Sequence, residues 1–482
     1  MLDLRPVGYV IGLLVAVLGI AMLVPMFVDI FDGNDHWPAF AESAIVTLVI
    51  GGVIAISCSN TMHQGLTIQQ TFLLTTGVWL ALPVFGALPF VLGETDARFV
   101  DAFFEAMSGL TTTGSTVFSG LDSMPRGLLL WRGILQWLGG IGIIVVAMVF
   151  LPELRVGGMQ IFRTEGFDTF GKILPRATEI ASRISVIYVS LSLICALAYI
   201  SAGMQPFDAV VHAMTTIATG GFSNYDASFA AFAGPVSYVA CVFMILAALP
   251  FVRFVQLSAG TARPLLRDTQ IHVFLVTAFI IAALITGWNW AQANASGEEA
   301  LRYALFNSVS LMTGTGFANA DYGQWGSFAI AVLFFTGLIG GCAGSTACSI
   351  KIFRYQLLFA SIKAQLQKTR SPHGVFTPRY AGRPVDDDVL NSVMSFFVFF
   401  TVTLGLLAVA LAMTGLDFVT SLSGAATALA NVGPGFGDQI GPSGNFAGLN
   451  DTAKWLLAAA MLIGRLELLA VYVIFTVQFW RA

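Results

Sequence analysis

The chain has 482 residues, of which 56% are hydrophobic and only 10% charged, against roughly 25% charged in a soluble globular protein. A water-exposed surface is excluded for most of it, and a net charge of −4 is not the balance of a nucleic-acid binder, so no nucleic-acid partner is expected. Its 49 glycines suit helices that pack closely in a membrane, and the chain reads as an all-α polytopic membrane protein with the lipid bilayer as its surroundings.

The first apolar run, residues 7–31, exceeds the roughly 7–15 residues of a signal-peptide core and is expected to be a retained span. Further stretches of about 20 apolar residues, enough to cross a bilayer, follow at 39–58, 69–92, 127–151, 182–203, 235–258, 270–290, 326–350, 389–414 and 453–478. Four stretches between them, at about 99–111, 206–218, 300–312 and 417–429, are amphipathic and too short to span. Each runs into a Gly- and Thr-rich or Asn-rich turn. Pro175, Pro372, Pro378 and Pro384 mark the basic connections as loops. Cys58, Cys195, Cys241, Cys342 and Cys348 form no CxxC pair and read as small buried side chains.

With both termini placed in the cytoplasm, Arg98, Arg126, Arg132, Arg302 and Lys454 fall outside and Arg465 falls within the bilayer. Every other Lys and Arg lies inside, Arg155, Arg163, Lys172 and Arg176 among them, as the positive-inside rule asks. The outer connections are rich in Asp and Glu, which would concentrate cations at the mouth.

The half-length stretches repeat one another. Asp101-Ala-Phe-Phe-Glu-Ala-Met-Ser-Gly-Leu-Thr-Thr-Thr-Gly114 matches Asp208-Ala-Val-Val-His-Ala-Met-Thr-Thr-Ile-Ala-Thr-Gly-Gly221, with weaker copies ending at Gly316 and Gly433. Asp226, Asp321 and Asp438 follow the last three glycines at one offset. Four units of span, half-helix, polar turn and span are expected, pseudo-symmetric around one pore: 66–155, 156–265, 266–385 and 386–482, after an N-terminal two-helix hairpin at 1–65. Irregular backbone at membrane depth survives only inside protein or along a wet cavity. Carbonyl rings that replace an ion's hydration shell are one use for it, and glycine supplies the backbone freedom. The half-helix C-termini would point partial negative charge at the pore. The residues expected to line such a filter are Thr112, Thr113, Gly114, Gly220, Gly221, Thr315, Gly316, Asn431, Val432 and Gly433.

These turns, with Gln136-Trp-Leu-Gly-Gly140, Gly157-Gly-Met-Gln160, Gly340-Gly-Cys-Ala-Gly-Ser-Thr346 and Gly464-Arg-Leu-Glu467, resemble the pore subunits of Trk-type potassium uptake systems in the Trk/Ktr/HKT superfamily over nearly the whole chain. The resemblance implies potassium uptake across the bacterial inner membrane, a homodimer with one pore per subunit, and a cytoplasmic ring of nucleotide-binding regulatory subunits. It implies an intramembrane gating loop at Gly340, Gly341, Ala343, Gly344, Ser345 and Thr346, and an electrostatic barrier at Arg465 beneath the filter. Ala347-Cys348-Ser349 stands where relatives often carry more glycine. A buried cation costs roughly 2.5–3.5 kcal/mol at a span's centre, and Glu467, two residues on, faces away from Arg465. No cofactor is expected on this chain, since it has neither GxxxxGK[ST] nor GxGxxG in a strand–helix context; potassium is cargo.

Two other readings carry less. Tyr225-Asp226 and Gly435-Phe-Gly-Asp438 match the strings of intramembrane aspartyl proteases, but paired catalytic carboxylates belong on facing helices and these follow half-helices. A sodium-preferring relative would carry Ser at the first filter position, where this chain has Gly114. The sequence leaves proton-coupled symport and passive flux equally open.

Overall fold

The computed structural model describes residues 2–59, 66–147, 158–159, 177–232, 234–293, 295 and 297–481. Arg155, Gly157, Gln160, Arg163, Lys172, Pro175 and Arg176, and the expected unit boundaries at 65/66 and 155/156, touch or lie outside the described residues. Among those described, regular structure is helical apart from a two-stranded ribbon, β1 (Arg379–Tyr380) with β2 (Arg383–Pro384).

The chain opens with α1 (Arg5–Ala21) and α2 (Leu23–Asp32), which together form one 28-residue span, and returns through α3 (Trp37–Ser57). Small residues let α1 and α3 approach: a β-carbon on Gly12 would strike the Gly51 carbonyl, and one on Gly51 the Gly12 carbonyl. Gly52 and Gly415, by contrast, face open space. The hairpin is fastened by Asp29, which is fully buried and accepts from Gly127 N at 2.7 Å while lying 3.1 Å from His36 Nδ1.

Next come α4 (Ile68–Gly86), begun by a Thr67/Gln70 capping box, α5 (Leu88–Leu92), half-helix α6 (Phe99–Leu110) and α7 (Arg126–Val145). The second group is α8 (Ala177–Ser201), half-helix α9 (Pro206–Ile217), α10 (Gly234–Ala247) and α11 (Phe251–Ser258). The third is α12 (Thr269–Ala291), α13 (Gly297–Thr313), α14 (Ser327–Leu338) and α15 (Ile352–Arg370). The fourth is α16 (Asp387–Met413), half-helix α17 (Phe418–Ala430), α18 (Asp451–Arg465) and α19 (Leu469–Tyr472). Exposed apolar side chains such as Val53, Leu193, Phe279, Val398 and Leu406 cover the outsides of the long helices, as lipid contact requires.

Among the described residues, three of the ten expected spans are sharply bent or lose their helix partway. Among the described residues seven helices are long and apolar enough to cross, or nine if two bent pairs each count as one. The 235–258 span bends by 89° between α10 and α11, around Pro250, which has no N–H to give a helix. The 453–478 span bends by 104° between α18 and α19, where Glu467 and Leu468 both take positive φ. The 326–350 span is helical only as far as Leu338; its glycine-rich second half is an irregular loop.

A ring of four turns above an intramembrane loop

The four half-helices end in turns of one design. The residue two before each expected glycine is left-handed: Thr112 at φ 51°, Thr219 at 50°, Gly314 at 73° and Asn431 at 52°. The glycines themselves stand at 88° (Gly114), 77° (Gly221), 81° (Gly316) and 101° (Gly433). The intervening N–H returns to the half-helix each time: Thr113 to Ser108 O, Gly220 to Thr215 O, Thr315 to Ser310 O and Val432 to Thr427 O, at 2.8, 2.8, 2.9 and 3.0 Å. Left-handed residues cost little only as Gly or Asn, so Thr112 and Thr219 are held there by their surroundings.

The turns close on one another in cyclic order. A β-carbon on Gly114 would overlap the Gly220 carbonyl; on Gly221, the Thr315 carbonyl; on Gly316, the Val432 carbonyl; and on Gly433 it would come within 2.8 Å of the Thr113 carbonyl. Each glycine thus packs on the carbonyl that precedes the next glycine, and the fourth returns to the first. At each of the four positions a carbonyl oxygen takes the space a side chain would need.

Cross-links keep the ring in register. Asn431 Nδ2 donates to Thr113 Oγ1 and to Met461 O, both at 2.9 Å, and Ser115 Oγ donates to Gly433 O at 2.8 Å. From α7, Gln136 Nε2 donates to Gly220 O at 2.6 Å while its Oε1 accepts from Phe222 N at 3.0 Å. The ten expected filter residues therefore meet in one place. Ser115 is not among the expected filter residues, and Gln136 enters the sequence reading only through the Gln136–Gly140 motif of the resemblance; their partners across the ring give both a place here.

On one side of the ring lies a cavity of about 210 Å³ that all four glycines line, with Ser115, Thr116, Arg132 and Asp226 on its wall. The acids near it are not all free to attract ions. Asp226 accepts from Gly120 N and Leu121 N, and Asp321 from Gly323 N. Glu105 and Asp208 are buried, as is Asp29 in the hairpin. Asp208 accepts from Asn224 Nδ2 at 2.7 Å and Tyr225 Oη at 2.8 Å; burial and that carboxylate push the Tyr225 phenol up to about 12. Asp438 remains exposed. The expectation of an open acidic mouth is corrected to this extent: several of its carboxylates are spent on holding turns.

On the other side of the ring the loop of residues 339–351 folds under it. Its base is pinched by Gly340 N to Ile350 O at 2.8 Å. Its tip fastens to the break between α10 and α11: Cys342 N bonds Ala248 O, Thr346 Oγ1 bonds Ala247 O, and Phe251 N bonds Gly344 O, at 3.0, 3.0 and 2.9 Å. Ser349 N reaches Ala430 O, at the end of α17, at 2.9 Å. Gly340, Gly341, Ala343, Gly344, Ser345 and Thr346 are all buried. Cys348 Sγ lies 3.6 Å from Thr112 Oγ1 of the ring.

Arg465 completes this column, at the last residue of α18 rather than mid-helix. It is 4% exposed, contacts Cys348 Sγ and lies 3.4 Å from Thr346 O, and its Nε and Nη2 have no hydrogen-bond partner among the described residues. A cavity of about 30 Å³ touches Arg465, Cys348, Ser345 and Asn431, room for about one water. Glu467 turns away and pairs with buried Arg354 of α15. The break brings Glu467 to Arg354, and breaking a buried ion pair of this kind is costly.

The comparisons with known proteins agree along the whole chain. The family model TrkH, described as a cation transport protein, matches residues 36–481. The chain is 43% identical over 478 residues to the Trk system potassium uptake protein TrkI of Halomonas elongata, covering 99% of this chain and 97% of that one. It is 36% identical over 484 residues to the Trk system potassium uptake protein TrkH of Escherichia coli K12, covering 99% of each. The crystal structure of the potassium transporter TrkH from Vibrio parahaemolyticus superposes with a TM-score of 0.92 at 32% identity, over 100% of both chains.

Proposed function

We propose that this chain, which belongs to the TrkH family of cation transport proteins, passes potassium through the ring of four turns. Its function is potassium uptake through a membrane pore; it is a multi-pass transporter and not an enzyme. The finer assignment is our reading. Carbonyls of Thr113, Gly220, Thr315 and Val432, with those of the glycines after them, take the place of water around the ion. The half-helix dipoles ending at the ring favour a cation over an anion. One observation carries this: the cyclic contact of Gly114, Gly221, Gly316 and Gly433 with successive carbonyls.

The four units at 66–155, 156–265, 266–385 and 386–482 then surround one conduction path. The loop at 340–346 obstructs it below the ring, and Arg465, which has no carboxylate partner among the described residues, holds back ions there until the loop moves. Inner-membrane orientation with both termini cytoplasmic, a homodimer and a cytoplasmic nucleotide-binding Trk-type regulator belong to the same proposal. Support for the orientation is the distribution of Lys and Arg; within the basic stretch from Lys351 to Arg383, whose first two cations Lys351 and Arg354 are buried, the exposed residues from Lys363 onward are the docking surface we favour. The test is reconstitution of the full chain in liposomes with rubidium, sodium and proton fluxes compared. Rubidium uptake well above sodium is expected, and equal uptake of the two would refute the filter assignment. Proton movement that tracks rubidium would identify symport.

A further inference from the structure

Each turn of the ring is braced from behind by its own half-helix, at the same offset from the glycine. Glu105 accepts from Thr116 Oγ1 at 2.9 and 3.1 Å and from Val117 N at 2.9 Å. His212 Nε2 lies 2.9 Å from Ser223 Oγ, and Asn307 Nδ2 donates to Asn319 Oδ1 at 2.7 Å. In the fourth unit the equivalent position is Gly424, and the neighbouring Ser423 Oγ takes over, accepting from Phe436 N at 2.9 Å.

The first brace alone is a carboxylate, and it is bound to a cation. Arg132 of α7 donates from Nε to Glu105 Oε1 at 2.8 Å, from Nη2 to Thr116 Oγ1 at 3.3 Å, and from Nη1 to Ser223 O of the next turn at 2.7 Å. Its guanidinium lies 4.1 Å from the ring centroid of Phe222, which follows Gly221. The two side chains are 2% and 0% exposed, yet Arg132 borders the 210 Å³ cavity above the ring. One buried ion pair therefore clamps the first turn to the second.

We infer that the Glu105–Arg132 pair is a selectivity-positioning element: it fixes the spacing of the first two turns and keeps a neutralised guanidinium at the cavity wall. The inference rests on the potassium reading of the ring. Charge-assisted bonds are shorter and stronger than neutral ones, so this quarter of the ring is the most firmly set. Without Glu105 the Val117 N–H loses its acceptor and Arg132 presents an unbalanced positive charge to entering cations. Neither group touches the ion; both act through backbone.

The experiment compares rubidium and sodium uptake by the full chain in liposomes, at equal folded protein, for wild type, E105A, E105Q and R132Q. E105A and R132Q are expected to lower the rubidium-to-sodium ratio by about tenfold, the worth of one charged hydrogen bond, with rubidium uptake itself falling less. E105Q keeps an acceptor oxygen and should retain more of the ratio than E105A, a rescue that a purely scaffolding role does not predict. An unchanged ratio in both E105A and R132Q overturns the inference. So does failure of all three variants to fold, which would make the pair a support of the fold alone. A wild type without rubidium preference would sink the potassium reading and this inference together; a selective wild type with unaltered variants sinks only this one.

Discussion

Gly316→Ser separates two penalties that usually arrive together. At φ 81° any L side chain carries left-handed strain of roughly 1–2 kcal/mol. At this position the β-carbon also overlaps the Val432 carbonyl and crowds Pro434 Cδ at 2.9 Å. Ordinary contact is restored only if that carbonyl retreats by about 1 Å or more, a displacement larger than the size difference between neighbouring alkali cations. Gly415 offers the control: its φ is 96°, but nothing lies within 4 Å of its built β-carbon. Both serine variants carry the left-handed strain of about 1–2 kcal/mol; Gly316→Ser adds an overpacking cost of about 1–3 kcal/mol, and only it should reshape the ring.

The measurements are rubidium and sodium uptake in liposomes and thermal unfolding in detergent. Gly316→Ser is expected to lose discrimination by about tenfold or more, equivalent to about 1.4 kcal/mol, before it loses total flux. Gly415→Ser should show a smaller drop in thermal stability, from the strain alone, and keep the wild-type ratio. The reasoning is refuted if Gly316→Ser retains wild-type discrimination, or if Gly415→Ser loses as much.

Three further outcomes are expected. Arg465→Ala removes one of the two cations, with Lys351, that line the small cavity beneath the ring among the described residues, and should raise rubidium leak in the absence of any regulator; equal leak in variant and wild type would argue against a barrier at that point. Glu467→Ala leaves the Arg354 guanidinium buried without its carboxylate and should cost about 3–5 kcal/mol, seen as a large drop in detergent melting temperature that Arg354→Met, made together with it, partly recovers. Asp417 caps α17, accepting from Thr420 N at 3.1 Å, and its bonds to Thr420 hold its carboxyl below the usual value. A lowered folded pKa means the cap contributes fully above about pH 4 and fades as pH falls through the folded value. Asp417→Ala should therefore cost about 0.5–1 kcal/mol at neutral pH, the low end because the group is exposed, with the gap to wild type closing in acid.

What could be read from the sequence follows from which forces are local. A bilayer demands long apolar helices, so most spans and the four short helices were legible from residue type and length, with α6, α9 and α17 ending within a residue of their expected limits. Glycine before an extended segment signals a special backbone angle, and Gly114, Gly221, Gly316 and Gly433 do take one. The two sharp bends were not legible, because partners distant in sequence define them. Phe251 N finds Gly344 O across the break after α10, and Glu467 finds Arg354; neither member of either pair announces the other. Charge was misread for the same reason. Glu105, Asp208 and Asp29 count as mouth acids in a linear tally, but Arg132, Asn224 with Tyr225, and Gly127 with His36 take up their oxygens. A formal charge near a pore acts on ions only in proportion to what its neighbours leave unsatisfied. On that ground Glu105, Asp208 and Asp29 leave less for a passing cation than their formal charges suggest, while exposed Asp438 keeps its own.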